Sequence, residues 1–276
     1  METPSRGIGW KYDLPSPQIK VALDLEVKNL LKPVSDMNEN YIELSRTTLK
    51  ARGYWIIGSI LISAVALTGT IQSLYYFPPE PNLTELKQLS FFMLIYLIMA
   101  CFITPYIRME FGFPQDEPIR FNRHRRKVYF YQYRFNFLKP FGKKNWGVIP
   151  VAYDWHDLTL EAYRIYAPMG NGGLKEEVKI SICKPGTNEI IDRVFFYDDI
   201  EEGEQYWAIV RLFMQQGPEA IPDFLHPSNN KDENPSPNTE GKIVFRNPFN
   251  RLGPEVNWPA EMDLESRTAP IQAEQP

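Results

Sequence analysis

The most regular pattern in the chain is an absence of polar positions. Residues 54–77, YWIIGSILISAVALTGTIQSLYYF, carry no charge, and neither do residues 88–107, QLSFFMLIYLIMACFITPYI. Each run is about as long as a helix needs to cross ~30 Å of hydrocarbon. A buried helix of a soluble protein is the alternative for either run alone. Two such runs a short connection apart predict a membrane hairpin, with spans at 54–77 and 88–109. Rings collect at the ends of the first run, with Tyr54 and Trp55 before it and Tyr75, Tyr76 and Phe77 after it, where amphipathic rings favour the headgroup level.

After residue 117 the period changes from continuous apolar to alternating. IRFN and KVYFYQYRF flank a turn, NRHRR, and read as a β-hairpin. In its second strand Val128, Phe130, Gln132 and Arg134 face one way. Tyr129, Tyr131, Tyr133 and Phe135 face the other, and this aromatic row is expected to be the core face. Strands follow at GVIPVAY (147–153), LTLEAYRIYA (158–167), EVKISICK from 177 and EIIDRVFFYD from 189, separated by turns such as PMGNGG and KPGTN. EEGEQYWAIVRLFMQQGPEAIPDF reads as one helix, with acids at its start and Gly217-Pro218 at its stop. The expected class is an α+β membrane protein. A two-helix transmembrane hairpin precedes a cytoplasmic antiparallel β domain (117–225) with a C-terminal helix. That arrangement is analogous to a pleckstrin-homology (PH)-like barrel, with an open α+β sheet as the alternative.

The remaining segments are less regular. Residues 1–53 form an N-terminal cytoplasmic segment whose GIGWKYDLPSP stretch reads as extended and docked, and whose YIEL (41–44) reads as a short strand without an evident partner. The connection 78–87 is short. Pro105 is expected to end or kink the second span. The tail 226–276 is Pro-rich, polar and expected to be poorly ordered. Its KIVFRNPFNRLGPEVNWPAEMD stretch is the exception, with Ile243, Phe245, Phe249 and Trp258 suited to docking on the domain or on a partner.

Charge orients the hairpin. The 276-residue chain has a net charge of -4 and a mean hydropathy of -0.35, averages that conceal its unevenness. Arg46, Lys50 and Arg52 precede the first span, and Arg108, Arg120, Arg123, Arg125, Arg126 and Lys127 follow the second, whereas the connection holds Glu80, Glu85 and Lys87. Positive charge marks the cytoplasmic side, so both termini are expected inside. Arg120, Arg123, Arg125, Arg126 and Lys127 are therefore read as topology-determining or lipid-facing, worth roughly 1 kcal/mol each beside an anionic surface. The same cluster at a hairpin tip has a second reading as a lipid-headgroup site. An acidic chain argues against nucleic acid as a partner. On the first span Ser59, Ser63, Ala66 and Thr70 form a small-residue stripe on one helix face, suited to packing against the second span or to an oligomer or target contact. Neither apolar run, 54–77 or 88–107, holds an ionisable acid, base or histidine, which argues against a channel or transporter acting alone.

Candidate chemistry is sparse. DWHD (154–157) lacks metal-ligand spacing, and DDIEEGE (198–204) suits a helix N-terminus better than a calcium loop. GNGG (170–173) is a hairpin turn with no helix after it. Cys101 and Cys183 are expected to be reduced, because they fall in separate regions. Asn82-Leu-Thr is a glycosylation sequon only in a eukaryotic secretory pathway. No catalytic, cofactor or metal residue is assigned, and a non-enzymatic protein is expected.

ENYIELSR, the two spans, IRFNRHRRKVY and YWAIVRLFMQQGPEAIPD together resemble an uncharacterised family of two-span proteobacterial inner-membrane proteins, often encoded near type VI secretion effectors. The resemblance covers most of residues 1–225 and implies an immunity or accessory role beside an effector protein. A membrane-surface adaptor for anionic lipid and a membrane-anchored enzyme without a local motif are the alternatives.

Overall fold

A computed structural model describes residues 6–21, 34–46, 49, 52–78, 82–139, 141–142, 144, 146–166, 173–225 and 247–270. The expectations for GNGG at 170–172, for Lys50, for Glu80 and for the tail at 226–246 lie outside them.

In chain order the strands before the apolar runs are β1 (Trp10–Asp13), β2 (Asp36–Met37) and β3 (Tyr41–Leu44). Helices α1 (Tyr54–Tyr75) and α2 (Leu83–Gly112) follow. Then come β4 (Ile119–Asn122), β5 (Lys127–Arg134), β6 (Gly147–Asp154), β7 (Leu158–Tyr166), β8 (Leu174–Cys183), β9 (Ile190–Tyr197), α3 (Ile200–Gln216) and α4 (Ala260–Arg267). One sheet has the order β1-β7-β8-β9 and the other β2-β3-β4-β5-β6, antiparallel throughout.

The partner of YIEL is the first finding. Strand β3 pairs with β4, with Ile42 opposite Phe121 and Leu44 opposite Ile119. Both apolar helices are therefore inserted between two hydrogen-bonded neighbours of one sheet. This revises the expected boundaries. The β domain is not residues 117–225 alone, because β1, β2 and β3 of the N-terminal segment belong to its sheets. The extended segment after β1 is also docked. Trp207 Nε1 donates to the Pro15 carbonyl at 2.8 Å, and Gln215 Nε2 donates to the Ile19 carbonyl at 2.9 Å.

The core lies between the two sheets and α3. Ile42, Ile119, Phe121, Val128 and Phe130 meet Leu160, Ile180, Ile182 and Val194, and Trp207, Val210 and Phe213 of α3 close over them. Asp199 caps α3 by accepting the Glu202 N–H at 2.9 Å, and the helix ends at Gly217, where φ is +96°. The stop expected at Gly217-Pro218 is where α3 ends, and the rest of that stretch forms two short 3-10 turns. The core face of β5 is Val128 and Phe130. The tyrosine row faces the opposite way, where Tyr129 and Tyr131 form a second cluster with Trp258 of the tail. Both faces of β5 are apolar, so alternation alone does not say which one meets the main core.

The apolar helices leave the sheets as an antiparallel pair. Both are long and apolar enough to cross a membrane, and only 6% of the most apolar window of each is buried, unlike a core helix. Helix α2 has 30 residues, about 45 Å at 1.5 Å per residue, and Pro105 lies inside it rather than at its end. Its start is fixed by a capping box: Asn82 accepts from the Thr84 and Glu85 N–H groups, and the Glu85 carboxylate accepts the Asn82 N–H.

Candidate functional site at the base of the apolar hairpin

The chain enters α1 through Arg52-Gly53 and leaves α2 at Phe113, so the open ends of both helices meet in one place. The Arg52 guanidinium, 2% exposed, donates to the carbonyls of Glu110 (2.6 Å), Phe113 (2.8 Å) and Pro114 (2.7 Å). The fully buried Glu110 carboxylate accepts the Gly53 N–H at 2.7 Å and the Trp55 N–H at 3.3 Å. Each helix thus supplies the charge that caps the other. A carboxylate sits at the positive N-terminus of α1 and a guanidinium at the negative C-terminus of α2, satisfying backbone groups that have no partner within their own helix.

Backbone geometry fits this arrangement. Gly53 has φ +96°, and a Cβ there would meet the Phe249 ring at 2.4 Å. The segment from Asn247 onward seals the junction. Asn247 Nδ2 donates to the Arg52 carbonyl at 2.8 Å, and Gln115 binds the carbonyls of Gly253 (3.0 Å) and Pro254 (2.9 Å). Below it, Arg46 donates to the carbonyls of Glu117 (2.7 Å), Phe195 (2.6 Å) and Tyr131 (3.3 Å). Asp116 accepts from the Ser45 hydroxyl at 2.6 Å and from the Arg46 and Glu117 N–H groups, each at 2.8 Å. Burial still pushes the Asp116 carboxyl above its ordinary range, against these hydrogen bonds. Arg46 and Arg52, read from sequence as free positive charges flanking a span, are therefore inward-facing groups of the joint.

The basic hairpin tip is corrected more strongly. The turn between β4 and β5 lies at the far end of β5 from the base of the helices, an eight-residue strand away, about 25 Å at ~3.3 Å per residue. The opposite end of β5 meets α2, where the Phe113 and Tyr133 rings lie 5.0 Å apart. The tip residues are also occupied. Arg120 is 1% exposed and bonded to Glu43 (2.7 Å), Asp263 (2.9 Å) and the Ser266 hydroxyl, so it does not face lipid. Arg125 donates to the Thr268 carbonyl at 2.9 Å, and Lys127 pairs with Glu265 at 2.9 Å. Arg126 donates to the Met214 carbonyl at 2.9 Å, and Arg123 lies against Gly217, both at the C-terminal end of α3. These cations hold the tail and cap a helix. A count of local charge contains none of that information, because the acidic partners are distant in sequence, 77 residues away for Glu43 and more than a hundred for Asp263 and Glu265.

The small-residue stripe divides. Ser59 is buried and Ser63 exposed, while Ala66 and Thr70 are half-buried beside Tyr96 of α2. The Tyr96 hydroxyl donates to the Ala66 carbonyl at 2.9 Å and lies 2.7 Å from the Thr70 hydroxyl. Ala66 and Thr70 thus serve the intramolecular pair. Toward the connection between α1 and α2 a cleft of about 440 Å³ opens between the helices, lined by Gly69, Gln72, Ser73, Gln88 and Phe92 among others.

Among the described residues no group of three or more His, Cys, Asp or Glu is placed to hold a metal. His156 Nδ1 lies 3.4 Å from Gln18 Nε2, in the 3-10 turn between β6 and β7 that buries Trp155. Both cysteines are free thiols, and burial pushes the Cys183 thiol up, away from the reactive thiolate.

Acid weakens the ion pairs that hold the tail. Burial opposes ionisation of Asp263, but hydrogen bonds and charge from Arg120 and Arg267 outweigh it and hold the carboxyl below the usual range. At Glu265 the hydrogen bond from Lys127 is the largest influence, and it too keeps the carboxyl low. A depressed carboxylate contributes stability that is present above its unfolded value, near pH 4, and is lost as pH falls through the folded value. Glu43 acts in the opposite sense, because burial raises it despite Arg120. Its protonation relieves a cost in acid; Glu161 of β7 is held low in the same sense as the tail carboxylates, but it lies in a sheet that the main core also holds. Acidification below about pH 4 is expected to release 247–270 before the sheets unfold. The Trp258 signal, obtained by difference from Trp258→Phe, should report this. An unchanged signal down to global unfolding would refute it.

No curated protein and no solved structure matches the chain. A family described as "Family of unknown function (DUF6708)" matches residues 95–270, from within α2 to just beyond α4. That span is well over half of the 276 residues and contains the basic tip, the sheet core, α3 and the docked tail. The chain belongs to this DUF6708 family of unknown function.

Proposed function

We propose that the chain is a two-span membrane protein that holds a PH-like interaction module rigidly at the cytoplasmic face, and that the module engages a protein partner rather than performing catalysis. The observation that carries this reading is the reciprocal capping by Arg52 and Glu110 at a hairpin inserted between paired strands. Both helix ends enter the folded domain at one place, so both lie on the same side of whatever the helices cross. The low burial of the two helices supports lipid as their surroundings. The order β3-β4-β5-β6 followed by β7-β8-β9 and a closing α3 supports the PH-like comparison. The inner-membrane setting and the effector partner rest on the sequence resemblance, which puts an immunity or accessory role first. The lipid-adaptor reading loses its support at the basic tip, whose cations are engaged within the chain.

Two measurements test this. With Cys101→Ser and Cys183→Ser as background, a membrane-impermeant thiol reagent on intact cells should label Glu85→Cys and spare His124→Cys until lysis. The reverse pattern, or equal labelling, removes the proposed topology. Co-expression with the neighbouring effector gene that the resemblance implies should give a complex that co-purifies and a cell protected from that effector. Absence of both removes the effector as the partner.

A further inference from the structure

The loop between β5 and β6 has a composition unlike that of an ordinary solvated turn. Leu138 and Phe141 are 94% and 68% exposed, and Phe135 and Phe137 are also exposed, yet each is a large apolar side chain. Lys139 and Lys144 are exposed among them. The loop is not remote from the helices. Trp55 stacks on Tyr106 at 3.8 Å, Tyr106 meets Phe137 at 5.2 Å, and Phe137 meets Phe135 at 4.8 Å. Phe135 in turn lies 6.4 Å from Trp146. Arg108, the first charge at the inner end of α2, donates to the Gly142 carbonyl and lies 4.5 Å over the Trp146 ring.

We propose that this loop is a third membrane contact, seated in the interface of an anionic phospholipid bilayer beside the inner ends of the helices. The inference rests on the two-span reading above. If the helices cross, Arg108 lies at headgroup level, and the loop bonded to it lies at the same depth. Aromatic rings with a polar edge favour that depth, and Leu138 and Phe141 would reach toward the acyl chains. Lysines among apolar side chains keep their ammonium groups among phosphates while their stems lie along apolar surface. A bilayer is favoured over a protein as occupant because the ring series is continuous with the lipid-accessible surface of α1 and α2. This contact lies at the opposite end of β5 from the basic tip, so it is a separate site from the one the local charge count suggests.

The test is depth measurement on the full chain reconstituted in vesicles, with Cys101→Ser and Cys183→Ser as background. A nitroxide is placed at Leu138→Cys, at Val65→Cys on α1, or at His124→Cys in the β4–β5 turn. Vesicles are phosphatidylcholine alone or mixed with phosphatidylglycerol. The Leu138 label should show an oxygen-to-nickel accessibility ratio several-fold above that of the His124 label and below that of the Val65 label. The ratio should rise with phosphatidylglycerol, and adding Phe141→Glu should return it toward the aqueous value. A Leu138 label as aqueous as the His124 label, with Val65 still deep, overturns the loop contact alone. An aqueous Val65 label overturns the two-span reading beneath it. Equal depth of the Leu138 label in both lipids overturns the role of the lysines in anionic recognition.

Discussion

Arg120→Met is expected to destabilise the sheet domain by about 3–5 kcal/mol, the range for removing one partner of a buried ion pair, and to detach the tail. Arg120 joins three parts of the chain that are far apart in sequence. It pairs with Glu43 of β3 and Asp263 of α4, and its guanidinium lies 4.8 Å from the Trp258 ring and 5.0 Å from the Tyr41 ring. Without it the partly buried Glu43 carboxylate faces Asp36 and Asp116 without its guanidinium partner, and burial already raises Glu43 in its presence. The wild-type pair is not itself a large source of stability, because desolvation offsets most of the attraction. Arg120→Met combined with Glu43→Gln should therefore recover part of the loss. Urea unfolding of the detergent-solubilised chain measures the stability, and limited proteolysis reports release of 247–270. A loss under about 1 kcal/mol, the scale of a surface pair, with the tail still protected, would show that Arg120 is no more than that.

The same residue shows what could be read from the sequence. Arg120 followed by Arg123, Arg125 and Arg126 was legible as a dense basic stretch, and the strand containing it was legible from IRFN and the turn after it. Its partners were not, because Glu43 precedes both apolar runs and Asp263 follows a Pro-rich stretch. The strands of the meander were legible because Gly, Pro and Asn turns punctuate alternating apolar residues. The pairing of β3 with β4 was not, since the two strands are separated by the whole hairpin and no local pattern encodes so distant a contact. The pairing of Arg52 with the end of α2, and of Glu110 with the start of α1, is hidden for a related reason. A carboxylate shortly after an apolar run, and an Arg-Gly shortly before one, look like ordinary flanking polarity until both helix ends are brought together. Of the two effects expected of Pro105, ending the helix or kinking it, the first does not occur, because α2 continues to Gly112.

Excising the apolar hairpin should leave a folded, soluble domain, whereas residues 117–225 alone should not fold. The reasoning starts from the register. Leu44 lies opposite Ile119, and the Glu117 N–H donates to the Arg46 carbonyl at 3.2 Å, so the two strand ends are already closed as in a β-hairpin. Joining Arg46 to Asp116 through an Asn-Gly turn replaces two helices with a connection suited to antiparallel strands. Arg46 and Asp116 keep their partners across the joint. The contacts of Asn247 and Phe249 with Arg52 and Gly53 are lost, but Trp258 and α4 retain their seat on Tyr131 and Arg120. The fragment 117–225 fares differently. It lacks Leu14, Val34, Ile42 and Leu44, all buried in the core, and exposes the Tyr129 and Tyr131 face that the tail covers. Each fully buried aliphatic side chain is worth roughly 1.5–3 kcal/mol. Losing four removes about 6–12 kcal/mol, most of a stability of about 5–15 kcal/mol, even before the strand pairing with β4 and β7 is counted. Amide dispersion in a heteronuclear NMR spectrum and a cooperative urea transition should appear for the excised chain and be absent for 117–225. A well-dispersed spectrum from 117–225, together with aggregation of the excised chain, would mean that the N-terminal strands decorate a complete domain and that the hairpin is not an insertion into it.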